Sequence, residues 1–231
     1  MERYSIIKEK NPREIVLLRG KGCAYKKCTF CDYHTDKCDN EEENFLLNKS
    51  VLEKVTGCYG NLEVINSGSV FELDNKTSEM IKSICKEKSI NTIHFESHYI
   101  YNKHIKNLRE LYRDFDIKMK LGLETFDYDF RENVLCKGIA ESDPEIISEN
   151  FDEANFLFGL SGQTVESMEK DITLGLKYFE RICLNIMCEN STEIKPDQKV
   201  IDDFIHYLYP KYKDNNRVDI LINNTDFGVG D

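Results

Sequence analysis

The stretch GKGCAYKKCTFCDYH, from Gly20 to His34, follows the apolar run Glu14–Arg19 and spaces Cys23, Cys28 and Cys31 as C-x4-C-x2-C. Three thiolates on one short loop can hold three irons of a 4Fe–4S cluster and leave the fourth iron open to a non-protein ligand. An electron-transfer cluster normally takes four protein ligands, and so does a structural zinc site. Cys38 is available as a fourth ligand. A zinc-stabilised binding module on Cys23, Cys28, Cys31 and Cys38, or a fully ligated electron-transfer centre, therefore stands beside the open cluster. The chain holds nine cysteines in 231 residues. That number is odd and the chain is longer than the usual disulfide scaffold, so metal or cluster ligation accounts for them better.

Around this loop the composition is that of a globular protein, 40% hydrophobic and 32% charged. No window approaches the ~18 uncharged apolar residues of a membrane span. The charged N-terminus lacks the small-residue cleavage site of a secretory signal. The expectation is a cytoplasmic protein with no membrane partner. The net charge of −11 disfavours stable nucleic-acid binding, which relies on a basic face, and favours a small-molecule substrate. Basic clusters are weak, such as the segment from Lys103 to Arg113.

Short apolar runs recur at Glu14–Arg19, Leu62–Asn66, Thr92–Glu96, Lys118–Glu124, Asn155–Leu160, Arg181–Met187 and Val218–Asn223. Helix-like stretches at Val51–Gly57, Lys76–Ser89, Asn102–Phe115, Val165–Phe179 and Asp197–Tyr209 lie between them. Asp197 is placed to cap the last. The alternation predicts an α/β fold with a parallel sheet and crossover helices, in one domain over 1–231. The cysteine loop spans 20–34, and a further strand and tail occupy about 217–231. In such folds the chemistry collects where strands end. The strand ends here carry Asn66-Ser67-Gly68-Ser69, Glu96-Ser97-His98, GLETFDYDFRENVLCKGI from Gly122, NFLFGLSGQT from Asn155, and RICLNIMCEN from Arg181.

Taken together, these elements resemble the radical S-adenosylmethionine (radical SAM) superfamily from about residue 14 to about residue 190. The resemblance implies a partial (βα)6 barrel with outer helices and a possible extra C-terminal strand. It implies a 4Fe–4S cluster on Cys23, Cys28 and Cys31 whose open iron binds SAM. One-electron reduction then yields methionine and a 5′-deoxyadenosyl radical, with a flavodoxin- or ferredoxin-type reductant. The first spacing departs from the commoner C-x3-C by one residue. By the same resemblance Phe30 packs near the adenine. The turn of Ser67, Gly68 and Ser69 receives the SAM amino group, and Glu96 contacts SAM. Glu124 and Asn155 meet the ribose, and Arg131 or Lys137 pairs with the SAM carboxylate. GLSGQT resembles the family's GLPGQT turn, with Ser161 in place of proline.

The wording CTFCDYH, the NSGS turn, the ESH strand end and the GLET…KGI element resemble a branch acting on 7-aminomethyl-7-deazaguanine skeletons. That branch breaks a carbon–nitrogen bond on the side arm. The implied substrate is a free deazapurine base, queuine, in a salvage reaction. A carboxylate should then read the base edge, with Asp32, Glu72 and Asp226 as candidates. Asn185 and Asn223 are further substrate candidates, and Tyr33, His34 and His98 are catalytic ones. A surface or helix-capping role is the plainer reading of His34 and His98. A radical reaction on a tRNA base or a peptide remains an alternative.

Overall fold

The computed structural model describes residues 2–223; the expectation placed on Asp226 and the end of the expected C-terminal tail lie outside the described residues. The described chain forms two compact units, one of residues 2–26 with 33–119 and one of residues 27–32 with 120–223.

In the first unit β1 (Tyr4–Ile7) pairs antiparallel with β2 (Arg13–Leu18). β3 (Asn61–Asn66) and β4 (Thr92–Ser97) follow in parallel. Alternation along the strands sorts the two faces. Val16, Leu18, Leu62, Val64, Ile93 and Phe95 are buried on one face. The other face carries Arg13, Glu63, His94 and Glu96, and Arg13 is ion-paired with Glu63. The helices are α1 (Glu41–Leu52), α2 (Asn75–Glu87) and α3 (Ile105–Leu111). They add Leu52, Ile81, Cys85, Ile105 and Leu108 to the core. Of the helix expected at Val51–Gly57, only Val51 and Leu52 are helical, as the end of α1, and the rest is turn and loop. The Asn40 side chain accepts from the backbone N–H groups of Glu42 and Glu43 and starts the helix ten residues earlier. Three glutamates in the first turn suit the positive end of the helix dipole.

In the second unit β5 (Asp116–Glu124), which begins in the first unit, pairs in parallel with β6 (Glu153–Phe158). β7 (Arg181–Ile186) and β8 (Val218–Leu221) follow, also in parallel. The helices are α4 (Pro144–Ser148), α5 (Val165–Tyr178), α6 (Gln198–Asp203) and α7 (Tyr209–Tyr212). Asp197 caps α6, its side chain accepting from Lys199 N and Val200 N. A π-turn at Phe204–Leu208 joins α6 to α7 just before Pro210, which has no N–H to extend the regular ladder.

One sheet face of this unit is apolar, with Leu121, Ala154, Phe156, Phe158, Ile182, Leu184 and Val218 buried. The other carries Lys120, Glu153, Asn155, Arg181, Asn185 and Asp219 together with Leu157 and Cys183. Arg181 binds both oxygens of Glu153 at 3.0 and 2.8 Å and one oxygen of Asp219 at 3.1 Å. The strand register places Asn155 beside Cys183, and Asn185 one step nearer the strand end. A buried apolar face and a hydrogen-bonding face are what an α/β ligand site requires. No helix among the described residues is long and apolar enough to cross a membrane.

Candidate cofactor and substrate site

In the first unit Cys23 follows Gly22 (φ 83) and is half-buried. The longer spacer after it turns through Lys26, whose φ is 53. The backbone N–H of Ala24 donates to Glu72 Oε1 at 2.6 Å. Glu72 also accepts from Ser69 N at 2.5 Å and from the Tyr101 hydroxyl at 3.1 Å. Burial pushes its carboxyl above the ordinary range, against these three hydrogen bonds. The Asn66–Ser69 turn closes on itself through Gly68 N to Asn66 O at 2.6 Å and Asn66 Nδ2 to Ser69 O at 3.0 Å. Ser67 Oγ donates to Asp36 at 2.8 Å, and Arg3 holds the other oxygen of Asp36 at 2.6 Å. Burial works against the charged Asp36, but Arg3 and Ser67 outweigh it and hold its carboxyl below the ordinary range.

Asn66 Oδ1 is buried with no hydrogen-bond partner. A buried acceptor without a donor is costly, and at a strand end it suits an ammonium or N–H from a ligand. His98 is buried; its ring stacks on Tyr25 with centroids 4.4 Å apart, and its Nδ1 accepts from Ile100 N at 3.2 Å. The backbone N–H of His98 donates to Ser69 Oγ at 2.9 Å. Glu96 and His94 are half-buried on the polar face of β4. Tyr33 is exposed and His34 half-buried, in a 3-10 turn spanning Tyr33–Thr35.

In the second unit the segment carrying Cys28 and Cys31 is fastened to two loops. Thr29 donates to Leu135 O at 3.1 Å through its N–H and to Val134 O at 2.7 Å through its hydroxyl. Asn190 Nδ2 donates to Phe30 O at 2.7 Å, and Ser191 donates to Asp32 at 3.0 and 2.9 Å. Asp32 is thereby engaged with its own chain. The Phe30 ring packs with Phe130 and Ile194 against Leu135, Leu157, Leu160 and Met187.

Lys137 is buried, donates to Glu124 at 2.8 Å and sits 5.5 Å from the Phe30 ring centroid. Burial pulls its pKa down. The charge of Glu124, the charges of Cys28 and Cys31, and the Glu124 hydrogen bond together overcome this and raise it above the ordinary value. A fixed ammonium near two thiols favours their thiolate forms, which are the ligating forms. Glu124 follows a bulge in β5 and has φ 72, a left-handed conformation rare for a non-glycine residue. Arg131 is wholly buried, and its guanidinium is spent on Thr125 O, Ile139 O, Glu141 O and the Glu132 carboxylate. It builds the loop after β5.

The GLSGQT turn is closed by Gln163, which accepts from Leu160 N at 3.0 Å and donates to Leu157 O at 2.8 Å. Gly159 and Gly162 adopt φ 89 and 96 there. Asn155 is half-buried; Asn185, also half-buried, donates to Phe156 O at 3.3 Å. Asn223 is exposed, and Asp226 lies outside the described residues.

Among the described residues no three His, Cys, Asp or Glu side chains gather about a single point. In the first unit the half-buried Cys23 and the orphan Asn66 oxygen, and in the second the half-buried Cys28 and Cys31 near the Lys137 ammonium, are of the donor types that an open cluster and an amino-acid-like ligand take.

No family model matches the chain, and none of the curated proteins matches it. Among solved structures it is similar to a queuine lyase from Clostridium spiroforme bound to SAM and queuine. The two are 48% identical, each is covered over 100% of its length, and the TM-score is 0.94. A chain of this fold, with a C-x4-C-x2-C loop after a strand, is of the radical SAM class. Within that class it belongs to the queuine lyase family.

Proposed function

We propose that this chain is a radical SAM lyase that cleaves the side-arm carbon–nitrogen bond of queuine and releases 7-aminomethyl-7-deazaguanine. The observation that carries the reading is the full-length likeness to the queuine lyase structure with SAM and queuine, at 48% identity. A cluster on Cys23, Cys28 and Cys31, when bound, supplies the electron that splits SAM into methionine and a 5′-deoxyadenosyl radical.

The residues of the chain bind and orient. Asn66 Oδ1 and the backbone of Ser67–Ser69 accept the SAM amino group. Lys137 serves the SAM carboxylate and neutralises thiolate charge, and Arg131, consumed by carbonyls, does not. Glu124 is held at its strand end for the ribose, and Phe30 offers an apolar ring to the adenine. Asn155 presents its carboxamide to the ribose from β6 and Asn185 presents its own to the deazapurine from β7, with Asn223 and Asp226 as further substrate candidates. Tyr33 and His34 are the candidates to meet the diol, and Glu96 the candidate to serve SAM from β4. A radical formed beside a substrate C–H bond is useful only if the two are held in contact, so these binding groups determine the outcome. The reading includes action in the cytoplasm, as one domain over 1–231, with a flavodoxin- or ferredoxin-type reductant.

The test is anaerobic reconstitution with iron and sulfide, reduction, and incubation with SAM and queuine. Chromatography then follows 5′-deoxyadenosine and 7-aminomethyl-7-deazaguanine. Both should form, and Cys28→Ala should form neither. Deoxyadenosine with untouched queuine overturns the substrate. Zinc-loaded protein that never cleaves SAM overturns the class.

A further inference from the structure

We propose that Glu72 and His98 are positioning residues that lock the four-residue spacer between Cys23 and Cys28, and so fix where the Cys23 thiolate stands. The inference rests on the cluster assignment above. It takes both residues out of the substrate and proton-donor roles that their types alone invite.

A closed circuit of contacts runs within the first unit. Ala24 N–H donates to Glu72 Oε1 at 2.6 Å, and Ser69 N–H donates to Glu72 Oε2 at 2.5 Å. Ser69 Oγ in turn accepts the His98 backbone N–H at 2.9 Å. The His98 ring lies on the Tyr25 ring at 4.4 Å and 22°. Tyr25 is bonded to Ala24, which closes the loop. Consecutive spacer residues are thus held from two sides, one by a charge-assisted hydrogen bond and one by stacking, and Ser69 ties the two anchors together.

Tyr101 gives Glu72 a third donor at 3.1 Å, and Tyr101 is itself oriented by stacking on Phe71 at 4.8 Å. Each Glu72 oxygen already accepts from its own chain, so the carboxylate is poorly placed to read a base edge. His98 Nδ1 is occupied by the Ile100 N–H at 3.2 Å, which leaves the ring to stack. The turn also approaches Cys23 directly, since a Cβ at Gly68 would stand 3.0 Å from Cys23 N and Cα. The Cys23–Cys28 spacer bends through a left-handed Lys26, φ 53, and a longer spacer has more conformations to lose. An external lock on Ala24 and Tyr25 removes that freedom before the cluster binds.

The experiment compares Glu72→Ala, Glu72→Gln, His98→Ala and His98→Phe with the parent, each reconstituted without oxygen. It reads the half-life of cluster absorbance under a chelator and the electron paramagnetic resonance of the reduced cluster with and without SAM. Both are read without queuine, so a wrong substrate would not disturb them. Glu72→Ala and His98→Ala should lose the cluster at least about fivefold faster and show an altered spectrum with SAM. Glu72→Gln, which keeps one acceptor, should fall between. His98→Phe, which keeps the stack but has no ring nitrogen, should restore the half-life to near the parent. If Glu72→Ala does not fold by circular dichroism, Glu72→Gln decides for that residue. Half-lives and spectra within twofold of the parent in the Glu72 and His98→Ala variants overturn the proposal. So does a His98→Phe cluster as labile as that of His98→Ala.

Discussion

A Cβ at Gly68 would fall 2.0 Å from Glu72 Oε2 and 3.0 Å from the Cys23 backbone. The carboxylate cannot simply swing away, because three donors hold it. Gly68→Ala should therefore displace either Glu72 or the segment around Cys23. The expected result is a loss of SAM affinity of tenfold or more, about 1.4 kcal/mol. Equilibrium dialysis of the reconstituted protein measures it, and a Kd within twofold of the parent would refute the crowding argument. Residues of this kind divide by how local their meaning is. Cys23, Cys28 and Cys31 are legible in the sequence because their spacing is their chemistry. The choice between Arg131 and Lys137 is not. Arg131 is consumed by carbonyls at positions 125, 139 and 141, and only the path of the chain brings these to it. Asn66 was visible only as part of a turn, and its unpartnered oxygen appears only with the fold.

Elements were easier to read than residues, because a parallel strand buried on one face leaves a strong apolar signature. The run at Thr92 matches β4 and the run at Arg181 matches β7, each to within one residue at its far end. β1 was missed. It spans only four residues, Tyr4-Ser5-Ile6-Ile7, between charged stretches, which is too short a run to show a strand period of its own. α1 was misplaced because its core-facing residues are Asn44, Asn48, Val51 and Leu52, so half of its buried stripe is polar. Those asparagines clamp Arg19, Asn44 through the guanidinium and Asn48 through the backbone on both sides.

α5 makes a testable contribution at this scale. Asp171 on α5 accepts the Phe126 N–H at 2.8 Å, just past the left-handed Glu124. Burial pushes its carboxyl up from 3.8 to about 6, aided by Asp127 and opposed by Thr125, the Phe126 N–H and Lys170. The folded chain therefore binds this proton more readily than the unfolded chain does. Stability from this group is full below about pH 3.8 and is lost as the pH rises through about 6. Asp171→Asn keeps an oxygen for Phe126 and cannot ionise. It should be more stable than the parent near pH 7.5, by at most roughly 3 kcal/mol, and little different near pH 4. Urea unfolding at the two pH values reads the difference; an offset that does not change with pH would count against it.

At the scale of the whole chain, charge bears on the form in which the base is taken. The net charge is −11, and a ribonucleic acid would have to approach against it. The basic stretch around Lys103–Arg113 does not offset this, because its charges are partly consumed at home. Arg113 pairs with Glu110 at 3.2 Å, Arg109 donates to Ile117 O, and the neighbouring Asp114 pairs with Lys86 at 2.6 Å. The sheet face that carries Asn155 and Asn185 also holds Glu153 and Asp219, which neutralise Arg181. A free base carries no phosphate and meets no such barrier. The chain should therefore turn over free queuine and bind tRNA more weakly than about 10⁻⁴ M at about 50 mM salt, at or below ordinary non-specific affinity. Fluorescence anisotropy with labelled tRNA, with and without the modified base, measures this directly. Micromolar binding that falls steeply with added salt would mean that the phosphate backbone is recognised, and would move the substrate from the free base to the base held in RNA.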